Sequence, residues 1–546
     1  MNPTTLILSF LSNLSKKFFL RKLLHIFSVG FFFFFVILPS IFVVTYVPLN
    51  WNLISEKLFL TPENINLVLD SLKVSFFLSI IIAFIDISVG VPLGFYVARG
   101  GKFSQIVDTL VEIPIVTPTS ALGFSVALMW PTLLQYTLQS FSILVLLHTA
   151  FTIPYMVRSV AAALRDFDTS YEIVSKTLGA RPFTTIRTVT LPLIKGGILT
   201  GTILAIARSL SETGATSVAL TLSKAGGELN TAPTLIYFWR SLAEKDPSYL
   251  YAGAFVSLML IIISLALFFA VRLVFKKFHI QFRRVYLPVE RELSKGRWLI
   301  LRNIITSIFF IIIAFSPALY PTTYGIHYPN IFVEKFDIIV SSILYSFIVA
   351  SSVTVIDLIF GIPLSLYISR GGYSKYKSII DYMIEVPIVF PTVAVGISLN
   401  LFWVEFVSKI FPIIKLSDLI LIIFAHVAIT YSFTVRTVVN ALNSLDQSFE
   451  EAAKTLGSTP FSTFVKVVFP QIKFSILAGA IFVFTRSLDE TGATLAVAPK
   501  ALTAPVIIVD FVKKGMLPEA GISALTLIII SYIILLVIRR LGGRHG

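Results

Sequence analysis

Asp446 to Phe461 reads DQSFEEAAKTLGSTPF, and Asp168 to Phe183 reads DTSYEIVSKTLGARPF. The two stretches match at one constant offset, so the chain contains a direct repeat. The match extends outward. Asp86 to Gly101, DISVGVPLGFYVARGG, pairs with Asp357 to Gly372, DLIFGIPLSLYISRGG. Glu112 to Thr119, EIPIVTPT, pairs with Glu385 to Thr392, EVPIVFPT. Arg208 to Thr216, RSLSETGAT, pairs with Arg486 to Thr494, RSLDETGAT.

Between these stretches lie apolar runs of about twenty residues, each long enough to span a bilayer as a helix. Of the 546 residues 56% are hydrophobic and only 13% charged, against roughly 25% charged in soluble domains. The mean hydropathy is +0.88. Twelve spans are expected, near 24–47, 73–98, 113–134, 141–163, 195–218 and 249–275, then near 299–320, 338–368, 385–408, 417–438, 473–496 and 519–539. The fold class is an all-α integral membrane protein.

The net charge of +15 is concentrated between spans, as the positive-inside rule requires, and is not read as a nucleic-acid surface. Lys16, Lys17, Arg21 and Lys22 precede the first run, which is too long for a signal-peptide core and is expected to be retained. The tract Lys276, Lys277, Arg283, Arg284, Arg291, Lys295 and Arg297, and Arg539, Arg540 and Arg544, are expected in the cytoplasm with both termini. Each half then has six spans, so the repeats run parallel, related by a pseudo-twofold along the membrane normal. The domains are read as 1–275, a basic cytoplasmic linker at 276–298, and 299–546. The loops between the fourth and fifth spans fall at about 165–192 and 443–470.

Within each loop Glu172 to Leu178 and Glu450 to Leu456 favour helix. Gly179 and Gly457 are left-handed stops, with Pro182 and Pro460 just beyond. A second amphipathic piece runs to Pro192 and Pro470. A compact exposed helix of this kind suits a cleft on a partner. The run Glu451-Ala452-Ala453, then Gly457, then Phe469-Pro470, resembles the EAA loop of permease subunits of binding-protein-dependent ABC importers. That resemblance implies a type I importer permease fold, with the loop as coupling helix in a groove of a separate ATPase. Carried over, the coupling residues are Glu172, Gly179, Pro192, Glu450, Glu451, Ala452, Ala453, Gly457 and Pro470. The first copy departs from the pattern, with Ile173, Val174 and Ser175 in place of Glu-Ala-Ala, so it is expected still to dock but with fewer polar contacts.

Arg208 and Glu212, like Arg486 and Glu490, are four residues apart inside an apolar span and can pair on one helical face. An unpaired charge at mid-bilayer costs at least about 2.5–3.5 kcal/mol, so both should face the protein interior. Gly214, Ala215, Gly492 and Ala493 permit close helix approach. Two readings stand. Glu212, Thr213, Glu490 and Thr491 line a pathway or gate, or the stretch is a structural network joining the halves. The Arg-x-Leu-x-Glu-x-Gly-Ala-Thr pattern resembles molybdate, tungstate and sulfate-type permeases, whereas two halves in one chain resemble ferric-iron and thiamine permeases. Pro114 and Pro118, and Pro387 and Pro391, should break or kink a span beside that pathway, with Thr117, Thr119 and Thr392 as polar groups there.

Asp86 with Asp357, and His148 with His426, are repeat-equivalent intramembrane residues. Buried hydrogen bonding is the expected role of the acids. Neither histidine has a second ligand at helical spacing, so no metal site is expected. With no cysteine, thiolate chemistry is excluded. No phosphate-binding loop is present, so the chain is not expected to be an enzyme or to hold a cofactor. ATP and Mg would belong to a partner ATPase, and an extracytoplasmic binding protein would deliver the solute. The expected location is a prokaryotic plasma membrane, in contact with lipid. The rival reading is an ion-gradient-driven secondary transporter, which does not need two such loops.

Overall fold

The computed structural model describes residues 18–59, 61–135, 138–223, 229–277, 287–371, 375–413 and 416–542. Lys16, Lys17, Arg283, Arg284, Gly372 and Arg544 lie outside the described residues, as do the side chains of Arg21, Lys22, Arg539 and Arg540. Among the described residues all regular structure is helical. Among the described residues ten helices are long and apolar enough to cross a membrane, and up to twelve spans result when two sharply bent pairs each count as one. This is the all-α, two-repeat architecture expected, and the chain is a multi-pass membrane protein.

Prolines and glycines set the interruptions. Pro118 and Pro391 take extended backbone, with ψ of 131° and 128°. They end one helix and begin the next. In the first repeat Lys102–Val116 and Thr119–Leu134 meet at 104°. A second bend, 68°, separates Pro182–Leu193 from Lys195–Ser211. Pro460–Asp489 passes the corresponding point as one helix. Gly196 and Gly197 occupy the bend where the second repeat has Phe474 and Ser475. Glycine weakens a helix, and here it also clears space. A Cβ on Gly197 would stand 2.5 Å from that of Ala163.

One expectation about the spans needs correction. The sequence predicts the fifth span of each half as one helix, 195–218 and 473–496. Instead helix ends at Ser211 and at Asp489, and new helices begin at Gly214 and Gly492. The intervening Glu212 and Glu490 are extended, with ψ of 122° and 116°. The polar Glu-Thr pair interrupts the apolar run, and the carbonyls of Glu212 and Glu490 accept from the Thr216 and Thr494 hydroxyls instead.

The chain packs as two compact units that cross the repeat boundary. Of the described residues, one takes those up to Leu49, those within Ile343–Ala501 and those from Ile533 on. The other takes Asn50–Ser342 and Leu502–Tyr532. So the first span belongs by packing with the second repeat. Phe31 stacks on Phe360 with ring centroids 3.9 Å apart. The Ser398 hydroxyl inserts into the hydrogen-bond ladder of the Leu38–Leu49 helix. It donates to Pro39 O at 2.7 Å and accepts from Val43 N at 2.9 Å. Conversely, Phe310 and Ala314 of the seventh span share a core with Leu93, Val111, Ile153 and Val157. In that unit Phe124 also meets Tyr324, centroids 5.1 Å apart. The repeat in the sequence and the packing units are thus different divisions of the chain.

Candidate functional site

Each loop folds as its residues dictate. The Asp168 carboxylate accepts from Ser170 N, and Asp446 accepts from Ser448 N, both at 2.9 Å, ahead of helices Ser170–Thr177 and Ser448–Thr455. This bond holds both Asp carboxyls below the usual range. Gly179 and Gly457 follow at φ of +87° and +80°. The next amides, Ala180 N and Ser458 N, reach back to Ser175 O and Ala453 O, closing each helix end.

Glu172 and Glu450 point inward. Both are buried. Glu172 accepts from Arg99 and, at 2.5 Å, from the Thr190 hydroxyl. Glu450 accepts from Arg370 Nε at 2.7 Å, while Arg370 Nη2 donates to Leu442 O. Burial opposes ionisation of Glu172, but the Arg99 and Thr190 hydrogen bonds outweigh it and hold its carboxyl below its ordinary range. These acids anchor the loops from beneath. What faces outward is Glu451 and Ala452 together with an apolar set, of which only Ile173 and Val174 stand out in the sequence. Tyr171, Ile173, Val174 and Leu178 are exposed in the first copy, and Phe449 and Leu456 in the second. Leu178 and Leu456 are 83% and 88% exposed, unusual for leucines on polar loops. Pro192 and Pro470 each lie in the first turn of the next helical piece.

The two loops differ in support. The linker helix Leu287–Leu293 places a buried Glu290 against the first loop. That carboxylate pairs with Arg187 and accepts from the Thr184 hydroxyl at 2.6 Å. Ser294 Oγ accepts from Phe183 N at 3.2 Å.

Deeper in each unit the Arg–Glu pairs form as expected. Arg208 to Glu212 is 3.2 Å and Arg486 to Glu490 is 2.6 Å, all four largely buried. Each glutamate has a second function at the break. Glu212 Oε1 accepts from Ala215 N and Glu490 Oε1 from Ala493 N, both at 3.0 Å. A carboxylate thus satisfies an orphan amide at the positive end of the next helix.

The equivalent histidines close the same break. His148 Nδ1 lies 2.8 Å from Ser209 Oγ before it, and Nε2 lies 3.0 Å from Thr216 Oγ1 after it. His426 repeats this, with Ser487 and Thr494 both at 2.8 Å. Thr494 Oγ1 gives its proton to Glu490 O at 3.0 Å. That assigns Nε2–H of His426 as donor to Thr494, with Nδ1 accepting from Ser487. Both histidines are fully buried. Among the described residues no cluster of three or more His, Asp or Glu is arranged around a metal position. The sequence signal for the staple was the repeat-equivalence of His, Ser and Thr together, not ligand spacing.

Of the small residues at the breaks, Ala215 and Ala493 mark close helix crossings, opposite Gly123 and Gly396. A Cβ on Gly123 would stand 2.4 Å from Ala215 O, and one on Gly396 2.9 Å from Ala493 O. The proline-broken spans are held at their other ends by arginines. Arg158 binds Asp108 at 2.5 Å and Glu112 at 2.8 Å. Arg436 binds Asp381 at 2.7 Å and Glu385 at 3.1 Å. Thr213, Thr491, Thr117, Thr119 and Thr392 are buried beside the breaks. Asp86 and Asp357 are fully buried, and Asp357 Oδ2 accepts from Thr430 at 2.7 Å.

Comparison with known proteins places this arrangement. The family described as binding-protein-dependent transport system inner membrane component matches twice, over residues 90–280 and 361–544. The chain is similar to the molybdate/tungstate transport system permease protein WtpB of Pyrococcus furiosus. The two are 30% identical over 212 residues, covering 38% of this chain and 80% of that protein. It is similar to the putrescine transport system permease protein PotI of Escherichia coli K12, 31% identical over 196 residues, 36% of this chain and 68% of that protein. It is also similar to the sulfate transport system permease protein CysT of the same organism, 30% identical over 198 residues, 34% of this chain and 71% of that protein. With the family's sequence pattern found in both repeats, this chain belongs to the binding-protein-dependent transport system inner membrane components, as a fused two-half permease.

Proposed function

We propose that this chain is the translocation subunit of an ATP-driven importer for a small oxyanion of the molybdate, tungstate or sulfate class. The carrying observation is the pair of loops. Each presents a short helix, stopped by a positive-φ glycine, whose outer face carries exposed apolar side chains among charged ones and whose base is tied down by an Arg–Glu pair. Such a helix can transmit force as well as dock, because its anchor reaches into the spans. Separate ATPase subunits bind these faces and supply ATP and Mg. A separate binding protein delivers the solute on the opposite side. Both termini and the basic linker lie in the cytoplasm, in keeping with their charge.

The breaks at Glu212-Thr213 and Glu490-Thr491, with Pro118 and Pro391 beside them, line the pathway or form its gate. Non-helical backbone in a membrane protein is tolerated where protein or water covers it. In each pair the Arg charge is met by a glutamate, so the lining presents neutral hydrogen-bonding groups. The oxyanion class is supported by the relatives WtpB and CysT and by the Arg-x-Leu-x-Glu-x-Gly-Ala-Thr pattern. Putrescine, ferric iron and thiamine are the competing cargoes.

The test is uptake into proteoliposomes that hold this chain with its ATPase and binding protein. Molybdate or sulfate should accumulate only with ATP on the ATPase side. Uptake of putrescine, ferric iron or thiamine alone would overturn the substrate class. Uptake without ATP that collapses with an ion gradient would overturn the importer reading.

A further inference from the structure

A cavity of about 290 Å³ opens beneath the first loop, between the end of the Pro62–Arg99 helix, the Ser170–Thr177 helix and the Gly296–Phe310 helix. That is close to the lower bound of about 300 Å³ for small-ligand pockets. Three cations line it, Arg99, Lys176 and Arg302, against one carboxylate, Glu172. That carboxylate is already held by Arg99 and Thr190. Arg302 donates from Nε and Nη2 to the Asn303 side-chain oxygen at 3.1 and 2.8 Å. Among the described residues it has no carboxylate partner. The cavity therefore carries positive charge in excess of what its own acid neutralises.

Apolar side chains, Phe95, Ile186 and Leu299 among them, make up part of its other walls beside Thr185 and Asn303. Arg302 sits less than two turns inside the seventh span, next to the basic residues Lys295 and Arg297. That span is largely uncovered by protein, with 22% of its apolar window buried, so its surface meets lipid. A guanidinium with free N–H groups suits a phosphate, and basic pockets beside membrane helices bind phospholipid headgroups. We infer that this cavity binds a phosphate group, and that the phosphate belongs to an anionic lipid whose acyl chains lie against the apolar walls. In the other unit Tyr367, Arg370, Glu450 and Lys454 stand where Tyr96, Arg99, Glu172 and Lys176 stand here. There the neighbouring span brings the His25 ring to 5.4 Å from Tyr367.

A lipid bound at this point touches the Arg99–Glu172 anchor and the Lys176 side of the loop helix. Its presence would stiffen the first loop, which makes the site a candidate regulator of coupling through membrane composition. The inference does not depend on which solute is carried.

The test is native mass spectrometry of the purified full-length chain, with phosphatidylglycerol or phosphatidylcholine supplied in turn. The wild type should retain phosphatidylglycerol preferentially. Arg302→Gln should reduce retention by about fivefold or more, and Arg302→Lys should keep most of it. Lys176→Gln lies at an exposed position, so folding is preserved, and it should weaken retention by up to about fivefold. Equal retention of both lipids, or retention unchanged in both Gln variants, would overturn the site. In a second arm inorganic phosphate is titrated against the chain in phosphatidylcholine vesicles. Saturable binding lost in Arg302→Gln, together with no preference for phosphatidylglycerol in the first arm, would overturn the lipid assignment and make the ligand a soluble anion.

Discussion

His426, on the neighbouring Asp418–Ser444 helix, lies 2.8 Å from Thr494 just past the break of an interrupted membrane span. The other ring nitrogen of His426 reaches Ser487 on the near side. One side chain thus holds two helix ends in register where the backbone ladder has stopped. The same arrangement recurs at His148, and in both copies the interrupting residue is a glutamate paired to an arginine one turn back.

Replacing His426 by Ala removes two buried hydrogen bonds, at about 1 kcal/mol each, and strands the Ser487 hydroxyl. The chain should still insert but melt earlier in detergent. On the proposed role of the break in the pathway, ATP-driven uptake should fall more than ATP hydrolysis, since the broken span loses its register. Parallel uptake and ATPase assays check this, and an unchanged ratio with unchanged melting would count against the staple. His148→Ala should behave alike.

Gly457→Val should uncouple hydrolysis from transport. The position is at φ +80°, where a β-branched residue costs about 1–3 kcal/mol. Nothing lies within 4 Å of a Cβ there, so crowding plays no part. Asn tolerates left-handed backbone, and Gly457→Asn should therefore retain most coupling. Equal coupling in the Val and wild-type proteins would sink the docking role of the second loop.

Gly123→Ala tests the helix crossing. A methyl group at that position meets backbone, Ala215 O at 2.4 Å, so the helices must part. Overpacking of this kind costs roughly 1–3 kcal/mol. Gly253→Ala, where nothing lies within 4 Å, is the control and should be neutral. Thermal unfolding in detergent compares the two.

The Glu172 anchor has a defined pH dependence. Its carboxyl is held below its ordinary value of 4.5. A depressed folded value means the stabilisation is fully present above that ordinary value and is lost as pH falls through the lower folded value. Coupling through the first loop should therefore be flat from pH 8 to about pH 5. Glu172→Gln should weaken it at every pH in that range. A wild-type decline centred near neutrality would contradict the anchor.

Glu290→Gln should loosen the first loop alone. Hydrogen bonds to a charged group contribute about 1.5–3 kcal/mol, and Arg187 and Thr184 lose theirs together. Amide exchange should quicken over residues 182–190 and stay unchanged over 460–468. Equal protection in both segments, before and after substitution, would show that the linker helix is not a support.

Much of this was legible locally. Gly179 and Gly457 announced helix stops because their followers are polar and proline-bearing, and both adopt positive φ. Pro118 and Pro391 announced breaks because proline cannot continue the ladder. Arg208 and Glu212 announced a pair through their spacing of four. The orientation of Glu172 and Glu450 was not legible. Their partners, Arg99 and Arg370, are 73 and 80 residues away. Nor was the interruption at Glu212 and Glu490. Helical spacing fits an unbroken run equally well, and only the capped amides of Ala215 and Ala493 distinguish the two.

By itself the sequence determined the membrane class, the two repeats and the positions of the loops. Hydropathy over twenty residues, internal similarity and turn chemistry are properties of contiguous chain. Only the tertiary structure decided that the first span packs with the second repeat, where Ser398 reaches Val43 across 355 positions. It alone showed the histidine staples, the glycine crossings and the inward-facing loop acids. Each depends on which surfaces meet, and burial selects among many pairings of similar apolar helices by the few polar groups and missing side chains that fit.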